Sequence, residues 1–134
     1  MDTAAILSIF VAACAASVAL MFFARRAKQR AMSVDGRVIE HLRLAGSDLT
    51  RPHSVEFFFY FPTQDAANRV AAQLGQFGLT SRVERAEHGD EWAVLATKSM
   101  VPTDVAMTEL RAAFAPLSAA EGGTYDGWGS STVR

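Results

Sequence analysis

Ser54-Val55-Glu56-Phe57-Phe58-Phe59-Tyr60-Phe61 is the stretch on which the fold turns. Aromatic and β-branched side chains fill six of its eight positions, which is strand chemistry. Side chains alternate across a strand, so Val55, Phe57, Phe59 and Phe61 share one face and Glu56, Phe58 and Tyr60 the other. The charged Glu56 marks the second face as the wetter one. Pro62 stops the strand, and Thr63 is suited to cap a helix.

Downstream, Ala67, Val70, Ala71, Leu74 and Phe77 recur at helical spacing, with Asp65, Asn68, Arg69, Gln73 and Gln76 elsewhere on the helix. Gly78 ends it. Leu79 to Glu87 alternates as a half-exposed strand, His88-Gly89-Asp90 makes a turn, and Trp92 to Thr97 returns as its hairpin partner. Pro102 and Thr103 open a second long helix whose buried stripe is Ala106, Leu110, Ala113, Phe114 and Leu117. Pro116 predicts a kink or break near residues 112–115. Gly122 and Gly123 close the helix, and Thr124 to Gly129 form a last strand. The order is β-α-β-β-α-β. It predicts an α+β, ferredoxin-like domain, an antiparallel sheet with two helices on one face.

Upstream, Pro52 and the polar residues 47–53 separate this unit from a short helix, residues 37–45, which Asp35 could cap and Gly46 end. The expected place for that helix is over the open face of the sheet, above Phe58 and Tyr60.

The N-terminal quarter differs in kind. Residues 4–24 carry no charge. As a helix they would extend about 31 Å, close to the thickness of a bilayer core. Arg25, Arg26, Lys28 and Arg30 follow the run, the arrangement expected of an uncleaved anchor with its basic flank in the cytoplasm. The expectation is therefore a transmembrane anchor over 1–24, a basic juxtamembrane linker over 25–34 and a domain over 35–134. The topology would be single-pass at the inner membrane, with the N-terminus outside and the bilayer as a partner.

From Asp35 onward nine Lys and Arg face 13 Asp and Glu, a balance of −4. Such a domain is a poor general binder of phosphate backbones. Cys14 is the only cysteine, so no intrachain disulfide can form. His41, His53 and His88 fall in separate elements without ligand spacing, and read as surface or turn residues. No metal, cofactor, phosphate loop or nucleophile motif is indicated, so no catalytic residue is assigned. Phe58 and Tyr60 are the candidate contact residues. They lie where RNA-recognition modules of this plan stack bases, but the basic glycine-aromatic pattern is missing from residues 91–98. Packing of the first helix ranks first for that face, a protein partner second and RNA third.

The tail Gly122-Gly123-Thr124-Tyr125-Asp126-Gly127-Trp128-Gly129 sets two aromatics among four glycines. With Gly46-Ser47-Asp48, His53, Phe58 to Pro62, Trp92 to Lys98 and Val101-Pro102, it resembles the ribonuclease E inhibitor family, also called regulator of ribonuclease activity B. The resemblance spans roughly residues 35–130. It implies a ferredoxin-like module, with no catalytic residues, that binds a ribonuclease E-type endoribonuclease and alters its activity or complex composition. Tyr125, Asp126, Gly127, Trp128 and Gly129 would be the family motif, structural or binding. The familiar cytoplasmic members lack a membrane helix and end in an acidic run, whereas this sequence ends Ser130-Ser131-Thr132-Val133-Arg134. A protein-interaction adaptor with another target is the alternative.

Overall fold

Strand β1 (His53–Phe61) forms the spine of a four-stranded antiparallel sheet with β2 (Thr80–Arg85), β3 (Trp92–Met100) and β4 (Thr124–Ser130), in the order β2-β3-β1-β4. Helices α1 (Val34–Leu44), α2 (Gln64–Leu74) and α3 (Asp104–Ala119) complete the fold. A one-turn 3₁₀ segment, Gly75–Phe77, extends α2. This computed structural model describes residues 20–21 and 32–134. The chain divides into two units, Met1–Ser33 and Val34–Arg134, and the second holds the four strands, the three helices and the 3₁₀ segment named above.

The β-α-β-β-α-β order read from the sequence is present, preceded by one short helix. The membrane-spanning expectation is corrected. Among the described residues no helix is long and apolar enough to cross a membrane. Apart from Leu20 and Met21, residues 4–24 lie outside the described residues, as do Arg25, Arg26, Lys28 and Arg30. The transmembrane helix, the inner-membrane single-pass topology and the bilayer as partner therefore have no support and are dropped.

Alternation along β1 is complete: Val55, Phe57, Phe59 and Phe61 are at most 1% exposed. Their face meets α2 and α3. Phe114 of α3 is the hub, with ring centroids 5.3–5.4 Å from those of Phe57, Phe59, Phe77 and Tyr125. All four pairs are edge-on, the arrangement favoured by the ring quadrupoles.

Local chemistry fixes the helix ends. Thr63 Oγ1 accepts from Ala66 N, and Thr103 Oγ1 accepts from Ala106 N. Each satisfies one of the orphan amides of a first turn. At the other ends, Ser47 N donates to Leu42 O, Leu79 N to Leu74 O and Gly123 N to Ser118 O. The residue before each of these donors is a glycine at positive φ, the usual left-handed close of a helix.

Three expectations change. Pro116 does not break α3, which runs unbroken through it. It sits in the last turn, so the only helical bond it forfeits is to the carbonyl of Ala112, an exposed residue that water can reach. Helix α1 begins at Val34, so Asp35 lies inside its first turn and is buried. Nor does α1 cover Phe58 and Tyr60. It packs against α3 and β4 on the core side, where Leu42 joins the main apolar cluster.

Candidate functional site

The tail motif is structural at its aromatic positions, and a bulge is the reason. Residues three apart on a regular strand point to opposite faces. Here Phe59 pairs with Tyr125 and Phe58 with Gly127, so Asp126 is the extra residue and the register shifts. Gly127 takes φ 121°, a conformation that side chains resist. Beyond the shift Trp128 pairs with Phe57. Since Phe57 and Phe59 face the core, Tyr125 and Trp128 both do.

Trp128 is 7% exposed, and its Nε1 donates to Asp35 Oδ1 at 3.1 Å. The same carboxylate takes both arms of the Arg111 guanidinium, Nε to Oδ2 at 3.0 Å and Nη2 to Oδ1 at 2.9 Å. Arg111 also stacks over Tyr125, 5.1 Å from the ring centroid. One charged triad thus joins α1, α3 and β4. The hydrogen bonds it donates to Asp35 hold the Arg111 guanidinium above its ordinary pKa. Burial chiefly, and secondarily the Asp35 carboxylate, raise the Tyr125 hydroxyl above the tyrosine range, with Arg111 opposing.

Gly123 meets a second demand. A Cβ there would lie 2.3 Å from Phe61 Cδ1 and 2.4 Å from Tyr60 O. No side chain fits without moving β1.

His53 is not a surface histidine. It opens β1 at 0% exposure, in step with Val55 and Phe57. Nδ1 lies 2.8 Å from Arg51 O, a pure acceptor, so Nδ1 carries the proton. The other ring nitrogen, Nε2, is hydrogen-bonded with Ser47 Oγ at 2.6 Å. Ser47 Oγ takes the amide of Val133 at 2.9 Å, Asp48 N donates to Val133 O at 2.7 Å, and Arg51 Nη1 donates to Arg134 O at 2.7 Å. The Gly-Ser-Asp and His53 signatures therefore tie down the last residues of the chain. This pairing of Ser and His is spent on structure, because every polar atom of it is engaged. Two hydrogen bonds from Thr50 hold the exposed Asp48 carboxylate below its ordinary pKa. Among the described residues no group of three or more His, Cys, Asp or Glu could hold a metal.

None of the helices α1, α2 and α3 covers the opposite sheet face. Its rows read Thr80, Thr97, Glu56, Gly129; then Arg82, Leu95, Phe58, Gly127; then Glu84, Ala93, Tyr60, Thr124. Phe58, Leu95 and Tyr60 are half-buried and form its apolar centre. Gly127 and Gly129 flank Phe58 without side chains, and Phe58 Cε2 lies 3.8 Å from where a Cβ on Gly129 would stand. The motif glycines thus leave one side of the Phe58 ring bare. Two shallow concavities border the strip. One, of about 180 Å³, is lined by Glu56, Thr80, Ser81, Arg82, Leu95 and Thr97. The other, of about 290 Å³, is lined by Tyr60, Ala86, Glu87, His88 and Glu91.

Asp35 and Arg111 are the pair that sequence reasoning missed. They stand 76 positions apart, and an Asp in a first helical turn reads as a dipole or cap residue.

Comparison with curated proteins gives no match. The family model for regulator of ribonuclease activity B matches residues 33–130. That is 98 of 134 residues, and it takes in every strand and helix from β1 to β4. The chain belongs to the regulator of ribonuclease activity B family, and its role is regulatory, not enzymatic.

Proposed function

We propose that the chain docks on a ribonuclease E-type endoribonuclease through the open face of its sheet. Occupying the enzyme alters RNA cleavage, and the chain itself neither cuts nor holds RNA. The observation that carries this reading is the half-exposed aromatic pair, Phe58 and Tyr60, at the centre of a face that none of the three helices covers. Aromatic anchors of this kind supply most of the energy at protein interfaces, while surrounding contacts exclude water. The −4 balance of residues 35–134 argues against phosphate recognition on the same face.

A cleavage assay tests it. The purified chain, the endoribonuclease and a short RNA are mixed, and cleavage and complex formation are followed together. Expected are a complex and altered cleavage in the presence of excess chain. Phe58→Ala and Tyr60→Ala should each weaken the complex by about tenfold or more, with circular dichroism unchanged. No complex at about tens of micromolar would redirect the reading to another protein target. Tight binding of RNA by the chain alone, steeply weakened by salt, would replace it with an RNA-binding role.

A further inference from the structure

We infer that the open face takes a basic, extended segment of its partner, in which Lys or Arg alternates with apolar side chains. The segment lies along β1 from Phe58 toward the β2–β3 turn. The inference rests on the docking role of this face and adds the chemistry of what docks.

The charge pattern of the face argues for it. Carboxylates ring the apolar strip: Glu56 at one end, Glu84 in the row of Tyr60 with Ala93 between them, and Glu87, Asp90 and Glu91 in the turn beyond. Among the described residues of the sheet, one cation shares the face. Arg82 lies in the row of Phe58 and pairs with Glu84 at 3.3 Å. Arg85 has the opposite parity, lies over the Trp92 ring and reaches Asp90 at 3.8 Å. Those pairings offset Glu84 and Asp90. Glu56, Glu87 and Glu91 form no ion pair among the described residues. The surplus is negative, and two of its three carboxylates line the same 290 Å³ concavity as Tyr60.

That concavity suits a cation better than an anion or a neutral group. Glu87 and Glu91 supply the charge, and Tyr60 at its edge supplies an aromatic face, which attracts guanidinium and ammonium groups. Spacing agrees. Phe58 and Tyr60 are two residues apart on one strand, about 7 Å. An extended peptide repeats its own side chains on one face at the same interval. Apolar side chains of such a segment can meet Phe58 and Leu95 while basic ones reach Glu87 and Glu91. The phosphates of a nucleic acid would meet the same carboxylates and be repelled.

Peptide binding to the full chain tests the inference. The probes are a short fluorescent peptide alternating Arg with Val, its counterpart with Glu for Arg, and a single-stranded RNA oligonucleotide. Fluorescence anisotropy should report binding of the Arg peptide alone, largely lost near about 1 M salt, where screening acts within about 3 Å. Glu87→Lys/Glu91→Lys should weaken it by about tenfold or more. Both residues are exposed, so the fold is not at stake. Asp65→Lys/Glu109→Lys makes the same change in net charge on α2 and α3, against the opposite face, and should change binding less than about threefold. Equal loss in the two reversals, equal binding of the Glu peptide, or tighter binding of the RNA would each overturn the inference.

The endoribonuclease is titrated against the same variants. If it binds wild type and the Glu87→Lys/Glu91→Lys variant alike, but not Phe58→Ala, the basic-segment inference fails and the docking role stands. If the Arg peptide binds as expected and the enzyme does not bind at all, the target is wrong and the ligand chemistry stands.

Discussion

Replacing Arg111 by alanine should destabilise the fold by about 3–5 kcal/mol, the range for breaking a buried ion pair by removing one partner. The variant leaves the Asp35 carboxylate, 2% exposed, with Trp128 Nε1 as its remaining donor in the triad. The reverse deletion should be milder. The Arg111 side chain is 33% exposed and can turn its guanidinium to water. Asp35→Ala is therefore expected to cost about 1–3 kcal/mol, the scale of lost hydrogen bonds. An apolar double variant, Asp35→Leu/Arg111→Met, should recover most of the Arg111→Ala loss, because no unpaired charge remains. Urea unfolding followed by circular dichroism reads all three. A larger cost for Asp35→Ala than for Arg111→Ala would contradict the burial asymmetry. So would additive losses in the double variant.

The Trp128→Ala protein should lose a similar amount, about 3–5 kcal/mol, for a different reason. The ring lies against the core and its removal leaves a cavity that the neighbouring strand β1 cannot fill by itself. Trp128→Phe separates ring from donor. It keeps most of the apolar volume and removes one hydrogen bond to a carboxylate that Arg111 still holds, so about 1–2 kcal/mol is expected. The same urea melts check this. A cost under about 1 kcal/mol for Trp128→Ala would mean that the ring contributes little to the core, and Trp128 would then belong with the contact residues.

Legibility in the sequence followed the range of the interaction. Strand β1 was legible because alternation is local and its register with the core needs no distant information. The three helix ends were legible for the same reason: Gly46, Gly78 and Gly122 each close an apolar periodic run, Gly122 after a short interval. His53 was within reach. It extends the buried parity of Val55, Phe57, Phe59 and Phe61 by one step, but Pro52 beside it drew the reading toward a loop. The bulge in β4 was not legible. Strict alternation puts Tyr125 and Trp128 on opposite faces, and only the register with Phe58 and Phe59 reveals that Asp126 is skipped. The seat of α1 was also hidden. Its apolar stripe states that one side is buried and not against what, and the deciding contact is the ion pair from Asp35 to Arg111. That one misplacement mattered most for function. The sequence places α1 over the open face, whereas α1 packs against α3 and β4 and does not cover Phe58 and Tyr60.

The bulge lets a stability role and the proposed binding role share one short tail. Tyr125 and Trp128 point inward, while Gly127 and Gly129 point outward and leave Phe58 bare. Substitutions at the two aromatics should thus act through folding. Substitutions at Phe58 and Tyr60 should act through association.

The central claim is that the partner meets the sheet and not the helices. A heteronuclear NMR titration of the isotopically labelled chain with unlabelled endoribonuclease tests it most directly. The account predicts that the signals of Phe58, Tyr60, Arg82 and Leu95 shift or broaden as enzyme is added, while the exposed positions Asn68, Glu109 and Ala112 on α2 and α3 stay unchanged. Shifts confined to α2 and α3, with Phe58 and Tyr60 unmoved in a formed complex, would contradict it.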